Sequence, residues 1–183
     1  FGDEQLISLL ETEHENTHSK TLTVFMEKIL TENNLTPKDI NYVSVSNGPG
    51  SYTGLRIGVS AAKGFCYGTL APMILIPTTE IIAQSCIEQT TIHKEDIICP
   101  MIDARRMEVY HGIYNSKNEL QNHIEPHIIT DESYGDILSE NTVHFCGNGA
   151  FKLENTINHP NARIHKGIQL SAKFMLTPTL KRI

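Results

Sequence analysis

The chain has 183 residues, of which 39% are apolar and 20% charged, with 15 basic against 21 acidic side chains and a formal net charge of -6. That is enough apolar material for the core of one domain or two small ones, yet it holds no run of about 18 apolar residues that could cross a membrane. The basic residues are scattered rather than clustered, which argues against nucleic-acid binding by this chain alone.

Phe1-Gly2-Asp3-Glu4 is turn chemistry, and Gln5 to Leu10 reads as a strand after it. A turn at that point, with no signal-peptide pattern around it, leads one to expect a cytoplasmic protein with a further strand upstream. Leu22, Phe25, Met26, Ile29 and Leu30 recur at helical spacing and predict a first helix over 17–34, with Thr17 as its N-cap. Thr36-Pro37-Lys38-Asp39 places a capping residue before a proline, so a single helical turn is expected before a strand from Tyr42 to Ser46.

That strand runs into Asn47-Gly48-Pro49-Gly50-Ser51, a tight turn with Ser51 or Thr53 placed to cap the helix that follows. The helix, expected over 51–67, carries two apolar stripes on opposite sides. Leu55, Val59, Ala62 and Cys66 make one, and Ile57, Ala61, Phe65 and Gly68 the other. A surface helix needs one apolar face, so a helix with two is either enclosed in its own domain or docked on another chain. The glycine spacing misses the dinucleotide fingerprint by one residue, and no Gly-Lys-Ser/Thr makes a Walker loop.

Met73 to Ile76 reads as a strand buried on both faces, and Thr78 caps a helix to about Glu88. The polar stretch 89–95 divides the chain into halves, 1–90 and 96–183. In the second half, Ile97 to Ile102 and Met107 to Tyr114 form a hairpin, and residues 115–118 turn the chain. His123 to Ile129, containing Pro126, is an edge strand. A short helix over 133–139, a strand Val143 to Cys146, the turn Gly147-Asn148-Gly149-Ala150 and a helix to Ile157 follow. Cys66, Cys86, Cys99 and Cys146 form no C-x-x-C pair and read as reduced, buried thiols.

Three stretches suggest chemistry. His14-Glu15-Asn16-Thr17-His18 is a literal H-E-x-x-H, the pattern by which a buried helix binds zinc and activates water. Here it lies in a polar stretch with no third ligand recognisable downstream, so a solvated loop is the favoured reading and a glycoprotease-like metallopeptidase the rival. Asp103, with Gly147-Asn148-Gly149 downstream, suggests a nucleotide site and a stand-alone nucleotide-binding protein. The simpler reading is an Asx turn in which Arg105 or Arg106 pairs with Asp103 or Glu108. No cofactor and no metal are expected.

Asn47-Gly48-Pro49-Gly50-Ser51-Tyr52-Thr53-Gly54-Leu55-Arg56-Ile57-Gly58 closely resembles the signature of the TsaB (YeaZ-type) family, the dimerisation subunit of the bacterial complex that makes threonylcarbamoyladenosine in tRNA. Pro100 to Tyr110 resembles the family's second block, and His18-Ser19-Lys20 its first. The resemblance implies an α/β, actin-like ATPase (RNase H-like) fold. Its plan is two β-β-β-α-β-α halves, the first without its opening hairpin, and the order of the expected elements agrees with that duplication. It implies a non-catalytic scaffold that dimerises with a TsaD-type catalytic subunit for threonylcarbamoylation of adenosine 37 in tRNA. A TsaE-type ATPase is a further partner, and a homodimer is expected in isolation. In TsaD-type relatives the metal-binding histidines fall on the helix matching Thr78 to Gln84, which here has none. The implied contact surface is Leu55, Ile57, Gly58, Ala61 and Phe65, with Val24 and Lys28 of the first helix.

Overall fold

The computed structural model describes residues 1–2, 5–12, 18–168 and 170–183, the helix residues 18–20 through their backbone alone. In chain order its elements are α1 (His18–Glu32), β1 (Val43–Ser46), α2 (Tyr52–Thr69), β2 (Met73–Ile76), α3 (Thr78–Gln89), β3 (Ile97–Asp103), β4 (Glu108–His111), β5 (Tyr114–Asn115), β6 (Glu125–Ile128), α4 (Gly135–Glu140), β7 (Val143–Cys146), β8 (Ala162–Ile164) and α5 (Leu176–Leu180). Residues 1–78 with 175–183 form one unit and residues 79–174 a second, so the polar stretch 89–95 lies inside the second unit. No helix among the described residues is long and apolar enough to cross a membrane.

In the first unit β1 and β2 pair in parallel, Val43 opposite Met73 and Ser46 opposite Ile76. The connection is the strand, glycine loop and helix expected from residues 47–54. Gly48 takes φ 105°, open to glycine at no steric cost, and its carbonyl accepts the Thr78 N–H at 2.8 Å. Ser51 proves to be the cap, its Oγ accepting from Gly54 N at 3.3 Å. The single turn after Thr36 also forms, as a 3-10 turn Pro37–Asp39. Asp39 accepts there from the Thr36 N–H and hydroxyl, each at 2.7 Å.

Two expectations for this unit fail. Gln5 to Leu10 is not a strand: Gly2 and Gln5 exchange backbone bonds of 3.0 and 2.9 Å in an isolated bridge, and residues 6–10 pair with no strand among the described residues. A strand persists only with a ladder to complete it. β2 is buried on one face rather than two, since Ile74 and Ile76 are buried while Leu75 is 44% exposed.

The second unit is a mixed sheet in the order β6-β4-β3-β7-β8. β3, β4 and β6 are antiparallel neighbours, whereas β7 runs parallel to β3 and β8 parallel to β7. This is the order of the expected three-stranded meander followed by crossovers, with β6 and its Pro126 at the edge as foreseen. Alternation along β3 and β7 supplies both layers of core. Cys99, Met101, Val143 and Phe145 face Leu138 and Leu153 on one side. Ile98, Ile102 and Cys146 face Ile82, Ala83 and Cys86 of α3 on the other.

The expected strand Met107 to Tyr114 is broken into β4 and β5. Ile113 leaves the ladder because its N–H donates to Asn122 Oδ1 at 2.7 Å and its carbonyl accepts from Gln121 N at 2.7 Å. The expected helix after Ala150 is only a 3-10 turn, Ala150–Leu153, beyond which Asn155 and Thr156 offer weak helix propensity and Ile157 turns in against the core. Cys86, Cys99 and Cys146 are buried free thiols as expected, and Cys66 is half-buried.

His111 is 5% exposed, among His127, Tyr134 and Cys99. Burial, helped by His127 and opposed by Glu125, pushes its pKa down to about 4. The ring is therefore neutral in the fold and takes up a proton first in the unfolded chain, near pH ~6.5. Stability should fall as pH drops from about 6.5 to about 4, by up to roughly 3 kcal/mol from this group, and then level off. Denaturant unfolding across that window measures the slope, and a folded His111→Phe variant should lose this part of it.

Candidate functional site

α1 and α2 lie side by side in the first unit, and between them runs a groove of about 540 Å³. Met26 and Leu30 enter it from α1, Leu35 and Pro37 from the following loop, and Ala61 and Phe65 from α2. These residues meet because each pair is one helical turn apart, Met26 with Leu30 and Ala61 with Phe65. Thr23, Glu27, Thr31 and Gly64 complete the lining, so an apolar floor has a polar margin. A Cβ at Gly64 would meet nothing within 4 Å.

α2 is poorly covered for so apolar a helix. Of its 18 residues only Ala62 is buried, while Leu55, Ile57, Val59, Ala61, Phe65 and Cys66 are all half-buried. One side is accounted for by β1: a Cβ on Gly58 would stand 3.8 Å from Val45 Cγ2. Tyr52, Tyr67 and Leu70 are 75%, 88% and 89% exposed.

The seven residues singled out from the sequence separate into groups. Ala61 and Phe65 line the groove; Gly58 faces its own strand instead; Leu55 and Ile57 are half-buried. On α1, Val24 is 55% exposed and Lys28 pairs with Glu32 at 3.7 Å, neither lining the groove. Sequence reading missed Met26 and Leu30 as site residues because they were absorbed as core positions of α1. It missed Leu35 and Pro37 because loop residues carry no periodic signal. His14 and Glu15, and the side chain of His18, lie outside the described residues.

The second candidate, around Asp103, is an ion-paired corner. Asp103 Oδ1 accepts the Arg105 N–H at 2.8 Å, the expected Asx turn, and Asp103 N donates to Asn148 Oδ1 at 3.0 Å. Its charge partner is Lys152 rather than an arginine. The Lys152 ammonium, whose side chain is only 6% exposed, also donates to the carbonyls of Glu108 at 2.7 Å and Arg105 at 3.3 Å. Arg105 and Arg106 sit at φ 71° and 44°, left-handed values that few residues with a side chain adopt, and Lys152 ties that turn to the sheet. Gly147, at φ 89°, and Gly149 are required by close approach. A Cβ on Gly147 would lie 2.4 Å from the Met101 carbonyl oxygen, and one on Gly149 within 3.1 Å of the backbone of Met101 and Ile102. Sheet packing thus accounts for the glycines and Lys152 for the carboxylate, and no nucleotide site is assigned here.

A family model described as TsaD, tRNA N6-adenosine threonylcarbamoyltransferase, matches residues 12–173. The tRNA threonylcarbamoyladenosine biosynthesis protein TsaB of Bacillus subtilis is 36% identical over 109 residues, 60% of this chain and 45% of that protein. The TsaB of Escherichia coli is 34% identical over 97 residues, 53% of this chain and 41% of that protein. The chain therefore spans about half the length of the curated relatives it matches. A tRNA N6-adenosine threonylcarbamoyltransferase of Enterococcus faecalis is 40% identical over 57 residues, 31% of this chain and 16% of that protein. Among solved structures, YeaZ from Pseudomonas aeruginosa superposes with TM-score 0.71 at 19% identity, covering 91% of this chain and 78% of that one, which establishes a shared fold.

The Asp103 corner makes a direct prediction. Lys152 holds the Asp103 carboxyl below the usual carboxylate range, so the pair stabilises the fold above pH ~3.9 and loses that contribution as pH falls through the lower folded value. Lys152→Met removes three hydrogen bonds, and with Asp103 37% exposed the cost is discounted to about 1–2 kcal/mol. Urea unfolding at neutral pH should record that loss, and the variant's acid-unfolding midpoint should move up.

Proposed function

The chain belongs to the TsaB/YeaZ family of tRNA threonylcarbamoyladenosine biosynthesis proteins, within the wider TsaD family, and on that premise we propose that it is a cytoplasmic scaffold subunit without catalytic residues of its own. It pairs with a TsaD-type catalytic subunit and so supports threonylcarbamoyl transfer to adenosine 37 of tRNA. A TsaE-type ATPase joins the pair, and a homodimer forms when the catalytic subunit is absent.

The observation that carries this reading is the uncovered second side of α2 beside the α1–α2 groove. Burying a half-exposed Phe65 and its neighbours on a partner would contribute on the order of 25 cal/mol for each Å² of apolar surface removed from water. A helix or helix pair of matching apolar character is the partner such a groove accepts, in the manner of helix-in-groove recognition. Met26, Leu30, Ala61 and Phe65 would be the anchors, with Val24 and Lys28 at the margin. The lack of His or Cys from Thr78 to Gln84 supports the non-catalytic role, because the metal ligands of TsaD-type relatives are missing there.

The test is co-elution of the purified chain with a TsaD-type subunit, read alongside threonylcarbamoyl transfer by the mixture. Transfer should require both proteins. Ala61→Trp should overfill the groove and weaken pairing by about 1–3 kcal/mol, roughly 5- to 150-fold in Kd, while Ser60→Asp on the exposed edge should do so less. A folded Ala61→Trp chain that pairs with unchanged affinity would overturn the assignment of this surface.

A further inference from the structure

A group of side chains in the second unit has no part in the surface described above. His144 on β7 and Cys86 on α3 point into the same side of the sheet, and His165 follows β8 at its end. Cys86 Sγ, one nitrogen of His144 and one of His165 all lie within 4.8 Å of one another. Cys86 and His144 are buried and His165 half-buried. The two imidazoles meet edge to edge with planes 4° apart and His144 Nδ1 at 2.8 Å from His165 Nε2.

The surroundings are those of a ligand set rather than of an ordinary buried histidine. His144 Nε2 is 3.0 Å from Asp96 Oδ2, and Asp96 is itself held by the His93 N–H at 2.8 Å, so the carboxylate orients the ring and leaves Nδ1 facing His165, with Cys86 Sγ nearby. Carboxylate, imidazole and then a thiol with a second imidazole is the arrangement by which proteins fix the tautomer of a metal-binding histidine. Ile82, Ala83, Ile98 and Ile168 share one apolar cluster with Cys86, while Arg163 is a charged neighbour of both histidines. Cys146, hydrogen-bonded to Cys86, places a second sulfur beside the first.

We propose that Cys86, His144 Nδ1 and His165 Nε2 form a binding site for a borderline-soft divalent cation, zinc foremost, oriented by Asp96. This departs from the absence of a metal expected from the sequence, and it stands independently of the pairing proposal. One thiolate and two imidazoles suit zinc over magnesium or calcium, and three protein ligands leave one tetrahedral position for water. Two nitrogens each about 2.0 Å from a tetrahedral zinc stand roughly 3.3 Å apart, so the 2.8 Å pair has to open by about 0.5 Å and both rings have to tilt until their lone pairs converge on the ion. The proton balance is simple. In the metal-free chain Asp96 accepts from His144 Nε2–H, and His165 Nε2–H donates to His144 Nδ1. On binding, His165 carries its proton on Nδ1 instead and Cys86 releases its own to solvent, so one proton leaves for each cation bound.

The untagged chain titrated with cobalt(II) as a zinc surrogate tests this. A single equivalent should produce a thiolate-to-cobalt charge-transfer band and the intense visible bands of a tetrahedral site, both erased by zinc. Cys86→Ser should lose the charge-transfer band. His165→Gln, at a half-buried position, should weaken zinc binding at least ~100-fold, and Asp96→Asn about 10- to 100-fold. His14→Ala should leave the titration unchanged. Zinc should raise the Tm of the unaltered chain but not of His165→Gln. Absence of a charge-transfer band in the unaltered chain, or unchanged zinc affinity in a folded His165→Gln variant, would overturn the proposal. If Cys86→Ser fails to fold, the unaltered chain and His165→Gln decide it without that variant.

Discussion

α2 has more apolar side than a two-stranded parallel sheet can cover. β1 and β2 present one face to it, Gly58 allows the close approach on Val45, and Ala62 is buried as a result. Ile57, Ala61 and Phe65, on the other stripe, are left half-buried, because one helix cannot turn both sides to one sheet. α1 takes up part of that excess and in doing so makes the groove floored by Met26, Leu30, Ala61 and Phe65. The glycine loop fixes the geometry from the other end. Gly48 holds its left-handed φ, its carbonyl accepts Thr78 N–H, and Ser51 caps the helix, so α2 starts at a fixed point above β1. The surface proposed to meet a partner is thus a consequence of the strand, loop and helix connection.

The second unit solves the same problem differently. Its central strands β3 and β7 are sandwiched between two apolar layers, one against α3 and one against Leu138 and Leu153. With both faces covered, polar groups inside must find partners or carry a cost. Asp103 and Lys152 satisfy each other at the rim. His144, Asp96 and His165 satisfy one another deeper in.

Much of this was legible in the sequence where local chemistry decides. The 3.6-residue spacing of Leu22, Phe25, Met26 and Ile29 specifies α1, Thr36-Pro37 its following turn, and the runs Met73–Ile76 and Val143–Cys146 their strands. Elements that depend on a neighbour were not: Gln5 to Leu10 is apolar enough for a strand after its turn but has no ladder, and Met107 to Tyr114 looks continuous until Asn122 and Gln121 claim the backbone of Ile113. β8 is three residues with Arg163 at its middle, too short to show a period. The expected helix after Ala150 shrank to one 3-10 turn.

The sites follow the same division. Ala61 and Phe65 lie one turn apart and could be read as a stripe, but Leu35 and Pro37 reach the groove from a loop. Lys152, rather than Arg105 or Arg106, neutralises Asp103 from 49 positions away, a distance no pattern reports. Cys86, His144 and His165 have no motif spacing either; sheet alternation and the α3 crossover bring them together, whereas His14 and Glu15 of the legible H-E-x-x-H, and the side chain of its His18, lie outside the described residues.

Backbone amide exchange of the chain, alone and with a TsaD-type subunit, tests the central claim about α1 and α2 most directly. Exchange should slow in residues 21–32 and 55–69 when the subunit is added, and should stay unchanged in residues 108–128. Slowing confined to residues 79–174, with α1 and α2 exchanging as in the free chain, would contradict it.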